Sequence, residues 1–466
     1  MNSNTVQFRH EDEGISEAVW WSTPQWEDVP ILDLVATASR FSTVLVAAAH
    51  PDDETIGVGG LLADLAALEL PITVLMGTNG ERSQPGLEES GRSRLGDQRR
   101  HEVQRAVEKL ASHAHLSHLN LPDARLSEHE EELMQAIVNR SDEATLILAP
   151  WTDDGHTDHD SLGRAAQRAA KITGAVVVHF PIWMWHWSEP ASVPWSRMVA
   201  AEPSRVACWL KRAALEEFAS QRMPSNVNFD HPPVAAILSG TLLARARRLI
   251  ETLIDPGAEL PVLSREDRDS RTITRSATFD EMYDAGSDPW GNAQSFYEQR
   301  RRSLLLAALG RARYERILEL GCADGHVTSA LVNRAEEVVA IDTSPRAVAA
   351  ARLAAPAADI TAGNLPNDIP HEQFDLVILS EVGYFLTATE LIATLRRARA
   401  ALVTGGELLL CHWQHPTKSV PLDGILVHEQ ARTVLGYSPS AQYRDGDLCI
   451  EVWADAPSIA ESEGRT

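Results

Sequence analysis

Residues 44–60, with the sequence VLVAAAHPDDETIGVGG, constrain the fold of this chain more than any other stretch. The run 44–49 is apolar without interruption, which predicts a strand buried on both faces of a parallel sheet. Pro51 disfavours helix at His50, and the Ala/Leu-rich run 61–68 then predicts a helix. Open α/β sheets bind their ligands at the carboxyl ends of such strands. His50 and the three acids after Pro51 are therefore candidate site residues, and their chemistry suits Zn²⁺ or a similar divalent ion.

A second strand followed by histidines and acids lies further along the chain. Residues 145–149 predict a buried strand, and the loop PWTDDGHTDH at 150–159 comes directly after it. The ends of two parallel strands can converge on one metal ion, so the two loops together predict a metal site. The alternative is a pair of solvated turns in which the acids are incidental.

The motifs AHPDDE at 49–54 and HTDH at 156–159 resemble the PIG-L/LmbE family of zinc-dependent N-acetylglucosaminyl deacetylases. The resemblance covers about residues 40–255. Shorter matches accompany the two motifs: GTNGE at 77–81, LPDARL at 121–126, Lys211 and Ser220-Gln221. Family members mostly have Pro where Thr157 stands, a position that is not a ligand.

The resemblance implies a site for Zn²⁺, or another divalent metal, with three ligands by motif position: His50, Asp53 and His159. Two imidazoles and one carboxylate leave a fourth coordination position for water, as a catalytic zinc requires. The resemblance also implies three catalytic residues: Asp52 as general base, His156 to assist the oxyanion or protonate the leaving amine, and Asp158 to orient a histidine. The products would be acetate and a free amine.

A glycine-rich turn predicts a second ligand site in the later half of the chain. Residues 314–320 predict a strand that ends in ELGCADGH at 319–326, and the strand 337–341 closes on Asp342. Such a turn lets backbone approach a nucleotide, and an acid after the next strand can hold ribose hydroxyls. The dinucleotide fingerprint is incomplete because position 323 is Ala. ELGCADG instead resembles motif I of class I S-adenosylmethionine-dependent methyltransferases.

Residues 374–381 and 402–411 resemble the fourth and fifth strands of that class. The segment FDEMYDAGSDPWGNAQSFYEQRR at 279–301 resembles the part of nodulation-type (NodS-like) N-methyltransferases that closes over the cofactor. This resemblance covers about residues 278–455. It implies an S-adenosyl-L-methionine site with eight candidate residues: Glu319, Gly321, Gly325, Asp342, Asn364, Trp290, Tyr297 and Glu381. Glu381 and Tyr384 also follow the fourth strand, where an acceptor amine could be met or where they could be ordinary structural residues.

The remaining segments carry weaker signals. The sequence predicts a mobile loop at 81–97, a helix at 98–111 and a long helix at 238–254. The loop PIWMWHWSEP at 181–190 is either an aromatic platform for a sugar or a packed cluster. The polar, Pro-punctuated run 255–276 has linker composition.

A chain of 466 residues is long enough for two or three domains. We expect an α/β protein with two Rossmann-like three-layer domains in tandem. The predicted parts are a deacetylase-like domain at 1–255, a linker at 256–277 and a methyltransferase-like domain at 278–466.

The formal net charge of −24 disfavours binding to nucleic acid or to an anionic membrane surface. No signal-type apolar segment and no 18-residue apolar run occurs in the sequence, so we expect a soluble cytoplasmic protein. The four cysteines form no CxxC pair, and buried free thiols are expected. Oligomeric state stays open.

The sequence therefore predicts a bifunctional enzyme. It would remove the acetyl group from an N-acetylglucosamine-type small molecule and then methylate the freed amine. One alternative is an amidase for another N-acyl group beside an independent O- or N-methyltransferase. The other is a non-catalytic binding module.

Overall fold

The computed structural model describes residues 14–224, 236–286, 288–418 and 420–465. The chain divides into two compact units, Met1–Leu263 and Ser264–Thr466. Each unit is built on a mixed, mostly parallel sheet of seven strands with flanking helices. This architecture confirms the predicted α/β class with two Rossmann-like domains in tandem.

The first sheet contains the strands β1 (Thr43–Ala48), β2 (Ile72–Met76), β3 (His115–His118), β4 (Thr145–Pro150), β5 (Val176–Phe180), β6 (Met198–Ala201) and β7 (Glu251–Ile254). Their order across the sheet is β3-β2-β1-β4-β5-β7-β6, and β7 pairs antiparallel with both of its neighbours. The helices of this unit are α1 (Glu17–Ser22), α2 (Leu34–Arg40), α3 (Asp53–Ala67), α4 (Glu89–Leu110), α5 (Glu130–Val138), α6 (Thr157–Thr173), α7 (Met184–Trp187), α8 (Arg205–Leu215), α9 (Ala219–Arg222) and α10 (Gly240–Ala246).

The second sheet contains the strands β8 (Tyr314–Leu320), β9 (Ala335–Asp342), β10 (Asp359–Ala362), β11 (Phe374–Ser380), β12 (Leu402–Trp413), β13 (Ala441–Arg444) and β14 (Leu448–Ala454). Their order, β10-β9-β8-β11-β12-β14-β13, repeats the order of the first sheet, and β14 is antiparallel to both of its neighbours. The helices of this unit are α11 (Arg265–Met282), α12 (Phe296–Ala308), α13 (His326–Leu331), α14 (Pro345–Ala354), α15 (Ala388–Ala400), α16 (Gly424–Leu435) and α17 (Ile459–Ser462).

Strand β1 is buried on both faces of its sheet. Val44, Val46 and Ala48 belong to one hydrophobic core, whereas Leu45 and Ala47 between them belong to the other. All five side chains are at most 1% exposed. Because successive side chains of a strand point to opposite faces, a strand covered on both sides needs an apolar residue at every position. This requirement accounts for the uninterrupted apolar run.

Helix α3, which begins at the predicted metal motif, is kinked at Val58, where φ is −140°. The kink interrupts the helical hydrogen bonds and releases the N–H groups of Gly60 and Leu61. Glu251 of β7 accepts both of them, one on each carboxylate oxygen, at 2.7 Å. The carboxylate therefore replaces the missing helical acceptors at the kink.

Lys211 of α8 completes this arrangement, and its replacement by methionine is expected to destabilise the first unit. Its ammonium donates to the carbonyl of Ile56 at 2.9 Å and to Glu251 at 2.5 Å, and the residue is 4% exposed. Loss of the charge leaves a buried carboxylate without its cation, which costs about 3 kcal/mol. Urea unfolding followed by tryptophan fluorescence would measure the loss. Lys171→Met, at an exposed position of α6, should change the free energy of unfolding by less than about 0.5 kcal/mol. Equal midpoints for the two variants would contradict the role of Lys211.

Two predicted elements differ in extent from the observed ones. Helix α4 begins at Glu89, inside the segment predicted as a mobile loop, because Leu95, Gly96 and Arg99 are buried against the rest of the unit. Tertiary contacts there override the low helix propensity of glycine and serine. The predicted long helix at 238–254 ends at Ala246 as α10, and its last residues form strand β7. Short apolar runs do not distinguish helix from strand.

Most of the segment assigned to the linker, 256–277, is helical. Ser264 caps α11 through a reciprocal capping box with Asp267. Further along, Arg275 pairs with Glu390 at 2.7 Å, and Ser276 donates to the carbonyl of Thr343 at 2.8 Å. The polar composition of this segment therefore reflects an exposed helix that is attached to the second unit by polar contacts.

The aromatic loop at 181–190 packs into the first unit. Trp185 is 3% exposed; its ring lies 4.8 Å from that of Trp20 and 5.7 Å from that of Trp26, centroid to centroid. The guanidinium of Arg248 lies 4.6 Å from the Trp185 ring. Of the two interpretations of this loop, these contacts favour the packed cluster.

The four cysteines are free and buried, as expected. None of the helices in the described residues has the length and apolar character needed to cross a bilayer.

Two candidate active sites

The first candidate site lies between the carboxyl ends of β1 and β4. These strands are adjacent and parallel, with Val46 opposite Leu148, and the strand order changes direction between them. At such a point the connections leave on opposite faces of the sheet and open a crevice, where α/β proteins bind ligands. The AHPDDE and HTDH motifs follow these two strands and meet at this crevice.

Two imidazoles and one carboxylate converge in the crevice. His50 Nδ1 lies 3.4 Å from one oxygen of Asp53, and His159 Nε2 lies 3.3 Å from the other. Asp53 and His159 are buried, and His50 is half-buried. Asp53 also accepts the backbone N–H of His50 at 2.8 Å, which holds its carboxylate between the two rings.

The second nitrogen of each imidazole faces a carboxylate. His50 Nε2 lies 3.2 Å from both Asp123 and Asp158, and His159 Nδ1 lies 2.7 Å from Asp154. In the neutral form of each ring the proton stays on the nitrogen with the shorter carboxylate contact. His50 Nδ1 and His159 Nε2, which lie 3.4 Å and 3.3 Å from Asp53, then carry the lone pairs. His159 Nε2 is buried, and among the described residues its contact with Asp53 at 3.3 Å lacks the geometry of a hydrogen bond.

These residues fit a divalent metal ion. Two imidazole lone pairs and a carboxylate are a donor set of the zinc type, and carboxylates behind the rings orient histidine ligands in metal sites. A buried nitrogen without a partner is also costly, and a bound cation would remove that cost. The structure thus brings together the three predicted ligands, His50, Asp53 and His159.

His156 adds a third imidazole to the group. Its ring centroid lies 4.9 Å from that of His50 and 4.7 Å from that of His159, and one ligand nitrogen from each ring lies within 4.8 Å of the others. His156 Nδ1 accepts the backbone N–H of Asp158 at 3.3 Å, so its proton is on Nε2. Burial, reinforced by the neighbouring imidazoles, lowers the pKa of His156 to about 3. The ring is therefore neutral.

Asp158 is held rigidly behind His50. Its carboxylate accepts the backbone N–H groups of Ala124 at 2.8 Å and Leu126 at 3.0 Å, in addition to its contact with His50. The predicted catalytic residue Asp158 therefore lies where it orients a ring.

Asp52 has an unusual backbone conformation beside the three convergent residues. Its φ is 134°, in a region that non-glycine residues rarely adopt, and Glu54 accepts its N–H at 3.2 Å. The side chain pairs with Arg99 of α4 at 3.1 Å. Burial raises the pKa of Asp52 to about 7, against the lowering effect of the Arg99 charge.

Three residues around this site were missed by sequence reasoning: Arg99, Asp123 and Asp154. Asp123 and Asp154 lie within the LPDARL and PWTDDGHTDH segments, so the sequence indicated that they are near the site but did not indicate what they do there. Arg99 lies outside every recognised motif, so the sequence did not indicate that it belongs to the site.

The second candidate site is a cleft at the carboxyl ends of β8, β9 and β11. Its empty space, including the open mouth, is about 1140 Å³. Six of the eight predicted cofactor residues line it: Trp290, Glu319, Gly321, Asp342, Asn364 and Glu381. Gly325 and Tyr297 are not part of the wall. Gly325 lies against Ala351, and the Tyr297 ring packs edge to face on Trp413 at 4.9 Å.

The turn after β8 has the shape of a phosphate- or nucleoside-binding turn. Gly321 has a φ of 81°, and a Cβ there would lie 2.1 Å from Val382. Ala323, where a glycine is usual, adopts a φ of 47°, which alanine tolerates at a modest cost. Its N–H donates to Asp342 at 2.9 Å. The departure from the usual motif is accommodated by this strained but hydrogen-bonded alanine.

Asp342 is the last residue of β9, and its carboxylate can accept more hydrogen bonds than it receives from the protein. One oxygen accepts from Ala323, as above, and the other accepts the N–H of Ser344 at 2.9 Å. Each carboxylate oxygen has two lone pairs, so two ribose hydroxyls could still bind. The Asn292 amide donates to Asp324 at 3.1 Å, and both residues line the cleft. The sequence analysis did not identify either of them.

The residues that line the cleft suit an adenosyl ligand.

Residues 45–170 match the family described as "GlcNAc-PI de-N-acetylase", and residues 317–406 match a "Methyltransferase domain". The chain joins a PIG-L deacetylase domain to a methyltransferase domain. The PIG-L match contains both metal-site motifs, and the methyltransferase match contains the glycine-rich turn, Asp342 and Glu381. The two domains indicate hydrolase and S-adenosylmethionine-dependent transferase activities.

Two curated relatives correspond to the two domains. "Probable N-acetyl-alpha-D-glucosaminyl L-malate deacetylase 2" of Bacillus subtilis (strain 168) is 32% identical over 133 residues, which are 27% of this chain and 59% of that protein. "Nodulation protein S" of Sinorhizobium fredii (strain NBRC 101917 / NGR234) is 30% identical over 124 residues, which are 26% of this chain and 56% of that protein. The chain thus spans somewhat more than half the length of these relatives.

Among solved structures, the N-methyltransferase NodS from Bradyrhizobium japonicum WM9, in complex with S-adenosyl-L-homocysteine, is 21% identical to this chain. The similarity covers 39% of this chain and 99% of that chain, with a TM-score of 0.34.

Proposed function

We propose that this chain is a bifunctional enzyme for amino sugars. Its PIG-L domain hydrolyses the acetamide of an N-acetylglucosamine-type molecule, and its methyltransferase domain then methylates the freed amine. The observation that carries the proposal is the convergence of His50, Asp53 and His159, with Asp52 beside them, in the crevice of a domain that matches de-N-acetylases. A cofactor cleft in the same chain accounts for the second step.

The residues of the first site divide into metal ligands and acid–base groups. When bound, a divalent ion such as Zn²⁺ supplies Lewis acidity for the amide carbonyl and for water. His50, Asp53 and His159 would hold it, and the carboxylates behind the two rings keep their lone pairs directed inward.

Asp52 and His156 supply proton transfer and hydrogen bonding. The Asp52 carboxylate accepts the proton of the attacking water, and Arg99 holds that carboxylate in place. His156 carries its proton on Nε2, which makes it a donor to the oxyanion that develops on the amide carbonyl. The proton on Asp52 can then pass to the leaving nitrogen, so the products are acetate and a free amine.

The second site positions a methyl donor for an amine. The cofactor supplies the methyl group on a sulfonium sulfur. Asp342 would hold its ribose, and Gly321 lets the backbone approach it without a side chain in the way. The chain's contribution to an in-line displacement is chiefly to orient the two reactants.

Chemistry fixes the order of the two reactions. An acetamide nitrogen is a poor nucleophile because its lone pair is delocalised into the carbonyl, as in a peptide bond. Deacetylation therefore precedes methylation.

A labelling experiment tests the coupled reaction. The full chain is incubated with methyl N-acetyl-β-D-glucosaminide and S-adenosylmethionine that carries a labelled methyl group. We expect label on the sugar nitrogen with the wild-type chain and none with Asp52→Asn. Adding methyl β-D-glucosaminide, the free amine, should restore labelling in that variant. Label on an intact acetamide, or on a sugar hydroxyl, would refute the proposed order and the acceptor atom.

A further inference from the structure

We propose that Glu381 binds the acceptor amine and removes its proton before methyl transfer. This inference rests on the proposed N-methylation and assigns its acceptor site. The acceptor class is a primary amine that arrives as an ammonium ion.

Carboxyl groups outnumber guanidinium groups in the wall of the cleft. Five carboxyl groups line it: Glu298, Glu319, Asp324, Asp342 and Glu381. The two guanidinium groups in the wall are already paired, Arg275 with Glu390 at 2.7 Å and Arg301 with Glu298 at 2.6 Å. A lining with this excess of carboxyl groups favours a cationic cofactor and a cationic acceptor, and it disfavours acceptors that carry phosphate or carboxylate.

Glu381 is placed next to the cofactor turn. It follows the last residue of β11, and the residue after it, Val382, packs so closely on Gly321 that a Cβ on the glycine would lie 2.1 Å away. An acceptor held by Glu381 would therefore be beside the ligand of the glycine-rich turn. Glu381 and Gly321 line the same cleft, so an acceptor at Glu381 and a cofactor at the turn would share it.

Two hydrogen bonds fix the carboxylate of Glu381 and leave each of its oxygens able to accept another. One oxygen accepts the hydroxyl of Tyr384 at 2.6 Å, and the other accepts the N–H of Trp413 at 2.8 Å. Each oxygen has a second lone pair available for an ammonium group. The φ of Glu381 is 59°, a strained conformation for this residue that is typical of functional sites.

The turn after Glu381 is supported by a row of buried hydrogen bonds. Gly383 donates its N–H to His412 Nε2 at 3.1 Å, and His412 Nδ1 lies 3.2 Å from His428 Nε2. His428 Nδ1 in turn lies 2.8 Å from Glu451. Each ring accepts on one nitrogen and donates from the other, so both are neutral and their tautomers are fixed. This row holds the turn that carries Tyr384.

The environment of Glu381 suits a base. Burial raises the pKa of its carboxyl, against the lowering effects of the Arg301 charge and the Tyr384 hydroxyl. The charged and titratable groups around it are Arg301, Glu298 and Tyr297 of α12, Cys411 of β12, and Tyr384 in the turn.

The proposed step balances in protons and electrons. The ammonium gives one proton to Glu381, and the nitrogen lone pair forms the new N–C bond. The S–C bond breaks with its electron pair returning to sulfur, so the sulfonium becomes a thioether. The product is a secondary ammonium ion, and Glu381 releases the extracted proton to solvent.

The test is methyl transfer to methyl β-D-glucosaminide by the full chain, measured as a function of pH. Because Glu381 is assigned here to the acceptor and not, as the resemblance implied, to the cofactor, Glu381→Gln should leave the Kd for S-adenosylmethionine within about threefold of the wild-type value. It should lower kcat by about 10²-fold at neutral pH. The loss should shrink as pH rises, because the amine then arrives without its extra proton. Glu336→Gln, at an exposed position of β9, is the matched control and should behave as wild type.

Tyr384→Phe provides a second measurement that does not remove the carboxylate. The Tyr384 hydroxyl lowers the pKa of Glu381, so its loss should move the acidic limb of the pH profile of kcat to higher pH. A Glu381→Gln defect that is the same at every pH, or no defect, would overturn this inference while wild-type amine methylation still supported the proposed function. Wild-type labelling of methyl β-D-glucoside in place of the amine would overturn both.

Discussion

Replacing His159 by alanine is expected to empty the PIG-L domain of metal and to abolish amide hydrolysis. His159 is fully buried, and its Nε2 lies 3.3 Å from Asp53 on the side opposite the oxygen that His50 Nδ1 contacts. Loss of one of three protein ligands leaves too few donors for a catalytic zinc site. The metal content of the dialysed protein, measured by elemental analysis, should therefore fall from about one divalent ion per chain to nearly none.

Thermal unfolding gives a readout of metal loss that does not depend on activity. An ion that binds only the folded state raises the stability of the protein by mass action. Added Zn²⁺ should therefore raise the Tm of the wild-type protein and leave the Tm of His159→Ala unchanged. His101→Ala, at an exposed position of α4, should keep both metal and Tm shift. Full metal content in His159→Ala would place the ion elsewhere, for example at the buried group His428, Cys449 and Glu451.

The sequence predicted both candidate sites because each prediction depends on a local pattern. An apolar run followed at once by His50 and acids is typical of a central strand with a ligand at its carboxyl end. The prediction of one shared metal site requires the two loops to meet, and the observed pairing of β1 with β4 brings them together. The same logic placed Asp342 after the strand that follows the glycine-rich turn.

What the sequence did not reveal depends on contacts between distant segments. Glu251 lies 191 residues from Gly60, whose N–H it accepts, and nothing near Glu251 in sequence indicates that it repairs a helix kink. Its strand β7 was predicted as the end of a helix because a short apolar run fits both elements. Arg99 lies in the predicted helix 98–111, and its role was missed because it depends on Asp52, which is 47 residues away in the sequence.

The second large effect is expected from Asp52→Asn. Asparagine has the same shape, can keep the contact with Arg99, and tolerates positive φ better than most residues, so fold and metal content should be retained. It cannot accept a proton from water. We therefore expect the rate of acetate release from methyl N-acetyl-β-D-glucosaminide to fall by about 10³-fold, within the range for loss of a general base.

The control for this variant comes from the other motif of the same site. Asp153→Asn, at an exposed position in the PWTDDGHTDH loop, removes a carboxylate near the crevice and leaves the buried residues unchanged. This variant should hydrolyse substrate at close to the wild-type rate.

Arg99→Met tests whether the position of the Asp52 carboxylate matters, because loss of the ion pair at 3.1 Å leaves that carboxylate present but no longer held. Hydrolysis should then fall by less than in Asp52→Asn, with metal content unchanged. Near-normal hydrolysis by metal-loaded Asp52→Asn would remove Asp52 from the reaction and leave His156 as the remaining candidate for proton transfer.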